Sequence, residues 1–488
     1  MPGVRLNWLL LIAAALACLG APPGRAQDRP VSNPMLLPKT ILAERGDERD
    51  HTQFKLVFDR TRNGAPAGKL SVLIGFDYFA VLDGNRMTIS DMRLLRRFVV
   101  DNAAETLVNL SLYSDVMFRR VELIRRMEIA SELEHQKDHP VLPESLDRFW
   151  IESELGIAGP GKLAAPIEPR QEGDTTLFYY GEQKVASVKA SDTEVPAPVR
   201  HAYAAFLRRT LPVHPVITTW LGKTATAPKQ LDFLSQATGK EEKITLTLTS
   251  ATSESADFPM PEHLTLVLLP QGSNDPDVLL MRQVLPRMTE AVTTHGVDRA
   301  AQIGEFRAAI DRDFKENHPF AAALRLTELA LRWGRSATEC EEGKGEGPCW
   351  NKDEIDKKLR ADPRSVTMFK ATAMQDRKPA EALKLWSELD RGDAPNGYVV
   401  DIFLGRLLSE RGQRQAAAKA FAAAFAGDPF IVALYRELGD HYARASRLDL
   451  AWLCYDLGRA LPDRMPPDAL TGIDTIEQEL VKTYPDMF

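Results

Sequence analysis

The chain has 488 residues and a formal net charge of −7 at pH 7. A mildly acidic balance of mixed charge excludes a general electrostatic pull toward nucleic acid or anionic lipid. The length is enough for about two or three domains. At the N-terminus, Arg5 precedes an apolar run, Trp8–Leu19, of signal-peptide length and too short to span a bilayer comfortably. Gly24-Arg25-Ala26 places small residues where signal peptidase reads them, so cleavage is expected after Ala26. Loss of residues 1–26 removes Arg5 and Arg25 and no acids, moving the formal charge from −7 to about −9. The expectation is a soluble protein exported to a bacterial periplasm or secreted. The competing reading is a lipoprotein attached through Cys18, which follows Ala15-Leu16-Ala17. No later stretch is long and apolar enough to cross a membrane.

Residues 27–50, polar and carrying Pro30, Pro34 and Pro38, read as a linker. Residues 51–275 read as an α+β region, one domain or two with a break near 158–170. Phe54–Asp59 and Leu70–Ile74 flank a turn at Arg62–Pro66. Phe76–Leu82 and Arg86–Ile89 flank Asp83-Gly84-Asn85, a hairpin signal. Asp91 then begins a helix, and Asp101–Gln136 reads as a long one. Its Leu107, Leu110, Tyr113, Met117, Val121 and Ile124 step by three or four. Further on, Thr175–Tyr180 and Gln183–Lys189 form a second hairpin, and Pro198–Leu211 a helix. Lys243–Ser250 alternates apolar residues with threonines as a strand, with its partner sought in Leu264–Leu269. Helices follow from Val278. No family resemblance emerges in residues 51–275. The pattern suits a packed α+β domain, or a half-barrel gripping a lipid or other apolar ligand.

The clearest signal lies near the C-terminus. Leu404, Gly405, Leu408, Ala417, Phe421 and Ala424 recur 34 residues later as Leu438, Gly439, Tyr442, Ala451, Tyr455 and Gly458. Small residues and aromatics in matching slots point to stacked helical hairpins, the small ones at helix crossings. Gly412 falls at the turn between two helices, and Asp428-Pro429 closes the second. This pattern resembles the tetratricopeptide repeat. Two repeats, near 398–431 and 432–465, match well, although Ser446 stands at the second turn and Pro462 comes one place early. An upstream repeat matches through Ala382, Trp386, Leu389 and Pro395 after a one-residue shift. Ala361-Asp362-Pro363 marks a degenerate fourth, with helices expected at Pro319–Trp333 and Asn351–Arg360. Residues 276–362 thus form a helical region with a cysteine-clipped insertion, 363–465 the repeats, and 466–488 a capping helix and tail. The fold class expected is α+β: antiparallel strands and helices first, then an all-α array of helical hairpins.

Cys340 and Cys349 bracket a Gly- and Glu-rich run, a spacing suited to a disulfide in an oxidising compartment. Cys454, inside a repeat helix, reads as a buried small hydrophobe. His135 and His139, four apart at the end of the long helix, are weak metal-ligand candidates, and Pro140 directly after argues against a helical His139. Gly-x-Ser-x-Gly, His-Glu-x-x-His and phosphate-loop patterns are absent, so neither an enzyme nor a cofactor is expected. The resemblance implies a concave surface lined by the first helices of the repeats. Tyr398, Asp401, Arg406, Tyr435, Arg436 and Asp440 lie on or near those helices as candidate contacts, with inter-repeat packing the competing role for the tyrosines. The function expected is a scaffold or adaptor for another protein in a cell-envelope assembly. A lipid carrier, and a hydrolase acting on an envelope polymer, are the alternatives.

Overall fold

The computed structural model describes residues 34–46, 51–135, 146–236, 239–269, 273–294, 298–333, 352–392, 394–462 and 469–488. They fall into two compact units. One comprises Pro34–Leu268 with Gln478–Phe488, and the other begins at Leu269 and ends at Glu477. Residues 158–170 lie inside the first unit.

That first unit is built on one sheet made of two meanders. The first runs through β1 (Thr52–Arg62), β2 (Ala65–Ile74), β3 (Tyr78–Asp83), β4 (Arg86–Asp91), β5 (Arg96–Asp101) and β6 (Thr106–Ser111). The second runs through β7 (Ile167–Glu172), β8 (Thr175–Tyr180), β9 (Gln183–Lys189), β10 (Gln230–Ser235) and β11 (Glu242–Ser255). Within each meander, successive strands pair antiparallel. β1 pairs antiparallel with β11 and joins the two. β12 (Thr265–Leu266) adds to β6 in parallel, giving a 12-stranded sheet. At the β1–β2 turn, Asn63 (φ 50) and Gly64 (φ 80) both adopt the left-handed conformation that a tight two-residue hairpin demands.

Successive side chains on a strand point to opposite faces, and the sheet uses both. Phe54, Leu56 and Phe58 of β1, Val72 and Ile74 of β2, and Phe79 of β3 pack with Tyr203 and Phe206 of α4 (Arg200–Thr210) and Ile217 of α5 (Pro215–Thr224). On the other face, Tyr78, Ala80, Ile89, Phe98 and Val100 pack with Ile41, Phe258 and Met260. Ile41 belongs to α1 (Pro38–Arg45), a short helix within the segment read as linker. Arg45 of that helix is buried, ion-paired to Asp77 and to Asp91 (2.6 Å), with its guanidinium 4.3 Å over the Phe258 ring. Burial pushes the Asp91 carboxyl up to about 6 even against Arg45. Arg45→Ala is therefore expected to destabilise the protein by about 3–5 kcal/mol at pH 8, because it strands a buried carboxylate. The loss should shrink at pH 5, where Asp91 takes up a proton; urea denaturation at the two pH values measures both.

Three assignments differ from the sequence reading. Asp91 does not open a helix; it ends β4. The helix expected over 101–136 begins only at Leu112, as α2 (Leu112–Glu134), and the residues before it form the β5–β6 hairpin. The cause is polar burial. Arg96 and Asn109, 1 % and 4 % exposed, occupy inward sheet positions where apolar residues would have revealed the alternation, and Arg96 Nε donates to Asn109 Oδ1 at 2.6 Å. Leu107 and Leu110, spaced as on a helix, point to opposite sheet faces. Nor does the 264–269 segment pair with 243–250: β11 lies between β1 and β10, and only Thr265–Leu266 joins a ladder, with β6.

The tail is part of this unit. Met487 is buried and its carbonyl accepts from Arg209 (2.7 Å), while Arg208 pairs with Asp486 (2.9 Å). Arg209 also reaches Asp115 (2.8 Å). Burial works against the Asp115 charge, yet Arg209, Arg119 and Arg97 together hold its carboxyl below the usual range.

The second unit is helical: α6 (Pro276–Thr293), α7 (Arg299–Lys315), α8 (Pro319–Trp333), α9 (Lys352–Leu359), α10 (Pro363–Met374), α11 (Pro379–Ser387), α12 (Tyr398–Glu410), α13 (Arg414–Gly427), α14 (Val432–Arg444), α15 (Leu448–Arg459) and the start of α16 (Thr471–Thr483). Between α2 and α4 of the first unit lies α3 (Arg148–Leu155). Consecutive helices pair as α7/α8, α10/α11, α12/α13 and α14/α15. Gly412 (φ 72) and Ser446 (φ 59), 34 residues apart, turn the last two pairs in the same left-handed conformation. The Gln413 amide donates to the Leu408 carbonyl, and the Arg447 amide to that of Tyr442, both at 2.9 Å. In α10/α11 the Lys378 amide closes on Met374 (2.7 Å), four residues back rather than five. No helix among the described residues is long and apolar enough to cross a membrane.

Candidate functional site: the first-helix face of the hairpins

The recurring glycines sit where paired helices cross. A Cβ on Gly405 would lie 2.7 Å from the Phe421 ring, and one on Gly439 2.2 Å from the Tyr455 ring. These crossings close the α12/α13 and α14/α15 hairpins, while α12 also packs against α14, and polar residues of the two first helices form a row. On α12, Arg406 Nε donates to Glu410 one turn on (3.0 Å), and its Nη2 reaches Asp376 at the α10–α11 turn (3.1 Å). On α14, Arg436 lies 3.5 Å from Asp440 in ion-pair contact, with its buried Nε lacking a hydrogen-bond acceptor among the described residues. Arg444 bridges the two helices, 3.9 Å from Glu410 and 3.2 Å from the Ser409 hydroxyl. Glu437 stands amid this set. Burial, then Asp440, pushes its carboxyl up to about 7 against the opposing pull of Arg406, Arg436 and Arg444.

Of the six candidates from sequence, Arg406, Arg436 and Asp440 come together on this half-buried row. The other three are engaged internally. Tyr435 is fully buried, its hydroxyl donating to the Pro429 carbonyl (2.8 Å). Asp401 is held by both terminal nitrogens of Arg391, each at 2.7 Å. Tyr398 packs over Gly427, and its hydroxyl sits with Asn396 and Glu328. Sequence reasoning missed Glu410, Glu437 and Arg444. The repeat itself held the signal: Arg406 and Asp440 are 34 residues apart, as are Glu410 and Arg444, so each repeat carries opposite charges at equivalent places.

Part of the same face is covered by the chain. α8 contacts α10, α12 and α14, the first helices of all three hairpins, besides its partner α7 and the short α9 expected to complete a degenerate repeat. Phe320, Leu324, Leu329 and Trp333 of α8 are buried in one core with Met368, Val400 and Phe403. Glu328 accepts from the Asn396 amide group, and Arg332 faces Asp428 (3.5 Å).

His135 caps α2 on the surface, its Nδ1 2.6 Å from the Ser131 carbonyl, while His139 lies outside the described residues. Cys340, Cys349 and Cys18 also lie outside them, and Cys454 is fully buried. In the sheet unit, buried His214 and Glu152 meet at 3.0 Å. The Val216 amide donates to His214 Nδ1 (3.2 Å), so Nε2 carries the proton and donates to Glu152. With His214 stacked on Phe149, this pair pins the start of α5 inside the core. A cleft of about 650 Å³ in that unit is lined mainly by polar residues, among them Asp174, Asp192, Lys229 and Thr249, with Ala190, Leu248 and Ala251 beside them.

No protein-family model and no curated protein matches the chain.

Proposed function

We propose that the protein is an exported adaptor that holds a protein partner on the first-helix face of its tetratricopeptide-like hairpins, within a cell-envelope assembly. The observation that carries this reading is the row Arg406, Glu410, Arg436, Asp440 and Arg444. Opposite charges repeat at 34 residues on neighbouring helices and stay half-exposed. A charged row of this kind fits a partner segment bearing both acidic and basic side chains, because complementary charge selects the partner and fixes its register.

The test is native mass spectrometry of the full chain purified gently from the envelope of its own host. A co-purifying polypeptide is expected. It should be lost or weakened at least about tenfold when Arg406 and Arg436 are both reversed to glutamate, a change of more than 1.4 kcal/mol. Circular dichroism of the double variant checks that the helices persist. Recovery of every partner by the folded double variant overturns the reading. A co-purifying mass of a few hundred daltons instead of a polypeptide also counts against it and favours a carrier.

A further inference from the structure

Where α8 lies on the hairpins, two buried carboxyls from distant parts of the chain meet. Glu328 of α8 is 2 % exposed and Asp428, at the α13–α14 connection, 7 %. The Asn396 amide group donates to Glu328, and the Phe430 backbone amide to Asp428 (2.8 Å). The two carboxyls lie within hydrogen-bonding reach of each other. The cation beside them is Arg332, 3.5 Å from Asp428. It also donates to Gln302 of α7 (3.2 Å), and its guanidinium lies against the rings of Trp333 and Phe430. Among the described residues, Tyr398 of α12 and Tyr435 of α14 also face the pair, the latter committed to the Pro429 carbonyl. At the far end of α8, Arg325 pairs with Asp313 of α7, and Arg364 of α10, paired with Asp362, lies over Phe320.

Two adjoining buried carboxyls served by one arginine resist full double ionisation. With one proton between them, one carboxyl donates to the other and the contact is attractive. We propose that Glu328 and Asp428 form a proton-operated clasp, closed when they share a proton and forced apart when both are ionised, so that α8 grips the hairpins in mildly acidic medium and loosens in alkaline medium. Burial, with Asp428 adding to it, holds the Glu328 carboxyl up at about 7 against an ordinary 4.5. A carboxyl raised in this way binds its proton more tightly folded than unfolded. Its stabilisation is fully present below about pH 4.5 and is lost as the pH passes 7. The clasp operates whether or not a partner binds, so its failure leaves the adaptor reading standing.

The experiment is hydrogen–deuterium exchange of the full chain at pH 6.0 and 8.0, corrected for the intrinsic pH dependence of exchange. Segments 319–333 and 396–410 are expected to exchange about tenfold faster or more at the higher pH, since one proton is lost across that range. Glu328→Gln keeps a donor and an acceptor but does not titrate, and should abolish the difference with exchange slow at both values. Asp428→Asn should do the same, and carries the test if the first variant does not fold. Glu437 and Glu477 also titrate near 7 in this unit. Their glutamine variants should leave the α8 response intact. An α8 response that is flat in the unaltered chain, or that survives in both Glu328→Gln and Asp428→Asn, overturns the clasp.

Discussion

Gly439→Val is expected to destabilise the helical unit by about 3 kcal/mol or more, at the upper end for overpacked cores. A Cβ at 439 would lie 2.2 Å from the Tyr455 ring, and valine adds two methyls beyond it. That ring is buried, its hydroxyl donates to Asp440 (2.7 Å), and Trp452 meets it edge-on at 5.5 Å. It cannot retreat without breaking a hydrogen bond and a ring contact together. The matching Gly405→Ala should be milder, about 1–3 kcal/mol, because the Phe421 ring stands farther away, at 2.7 Å, and has no hydroxyl to anchor it. Guanidinium denaturation of the full chain measures both. A Gly439→Val loss within about 0.5 kcal/mol, the range of ordinary surface substitutions, would show that the crossing accommodates a side chain.

The second large effect belongs to Arg459. Its guanidinium joins Asp456 (3.1 Å), Asp474 (2.8 Å) and Glu477 (3.0 Å), and it is buried together with Asp456 and Glu477. Arg459→Ala should destabilise by about 3–5 kcal/mol near pH 8, because it leaves buried carboxylates without their cation. Burial already pushes the Glu477 carboxyl up to about 7 with the arginine present. Without it that value rises further, and protonation then relieves the repulsion. The variant should therefore regain part of its stability as the pH falls from 8 to 5, which paired denaturation curves would show. Trp452 Nε1 donates to Glu477 (2.8 Å). Arg459→Ala combined with Glu477→Gln should accordingly be less damaging at pH 8 than Arg459→Ala alone.

The sequence disclosed the hairpins because their determinants are local and periodic. Gly405 and Phe421, or Gly439 and Tyr455, recur at fixed spacing since each pair makes one helix crossing. The early hairpins were legible from turn residues such as Asn63 and Gly64. The β5–β6 hairpin was not, because Arg96 and Asn109 satisfy one another inside the protein and erase the apolar alternation that marks a half-buried strand. The seating of α8 across three hairpins is non-local and leaves no periodic trace. The site divided along the same line. Arg406, Arg436 and Asp440 follow from the spacing of a helix face. Tyr398, Asp401 and Tyr435 are turned inward by Glu328, Arg391 and Pro429, partners that no short-range pattern connects to them.

The seam between the two meanders bears on how the chain folds. The Thr249 hydroxyl donates to the Val57 carbonyl across 192 residues of sequence, and eleven residues of β1 run beside β11. The first meander can assemble from neighbouring hairpins as it leaves the ribosome, and the second from its β7–β8–β9 and β10–β11 hairpins once α4 and α5 have been made. β1 must wait as an open edge until β11 has been made, and loop closure over such a span is slow. During that interval the edge backbone of β1, with Phe54, Leu56 and Phe58 beside it, is open to pairing with another chain. Refolding yield should therefore fall as the protein concentration rises, which light scattering during refolding would show.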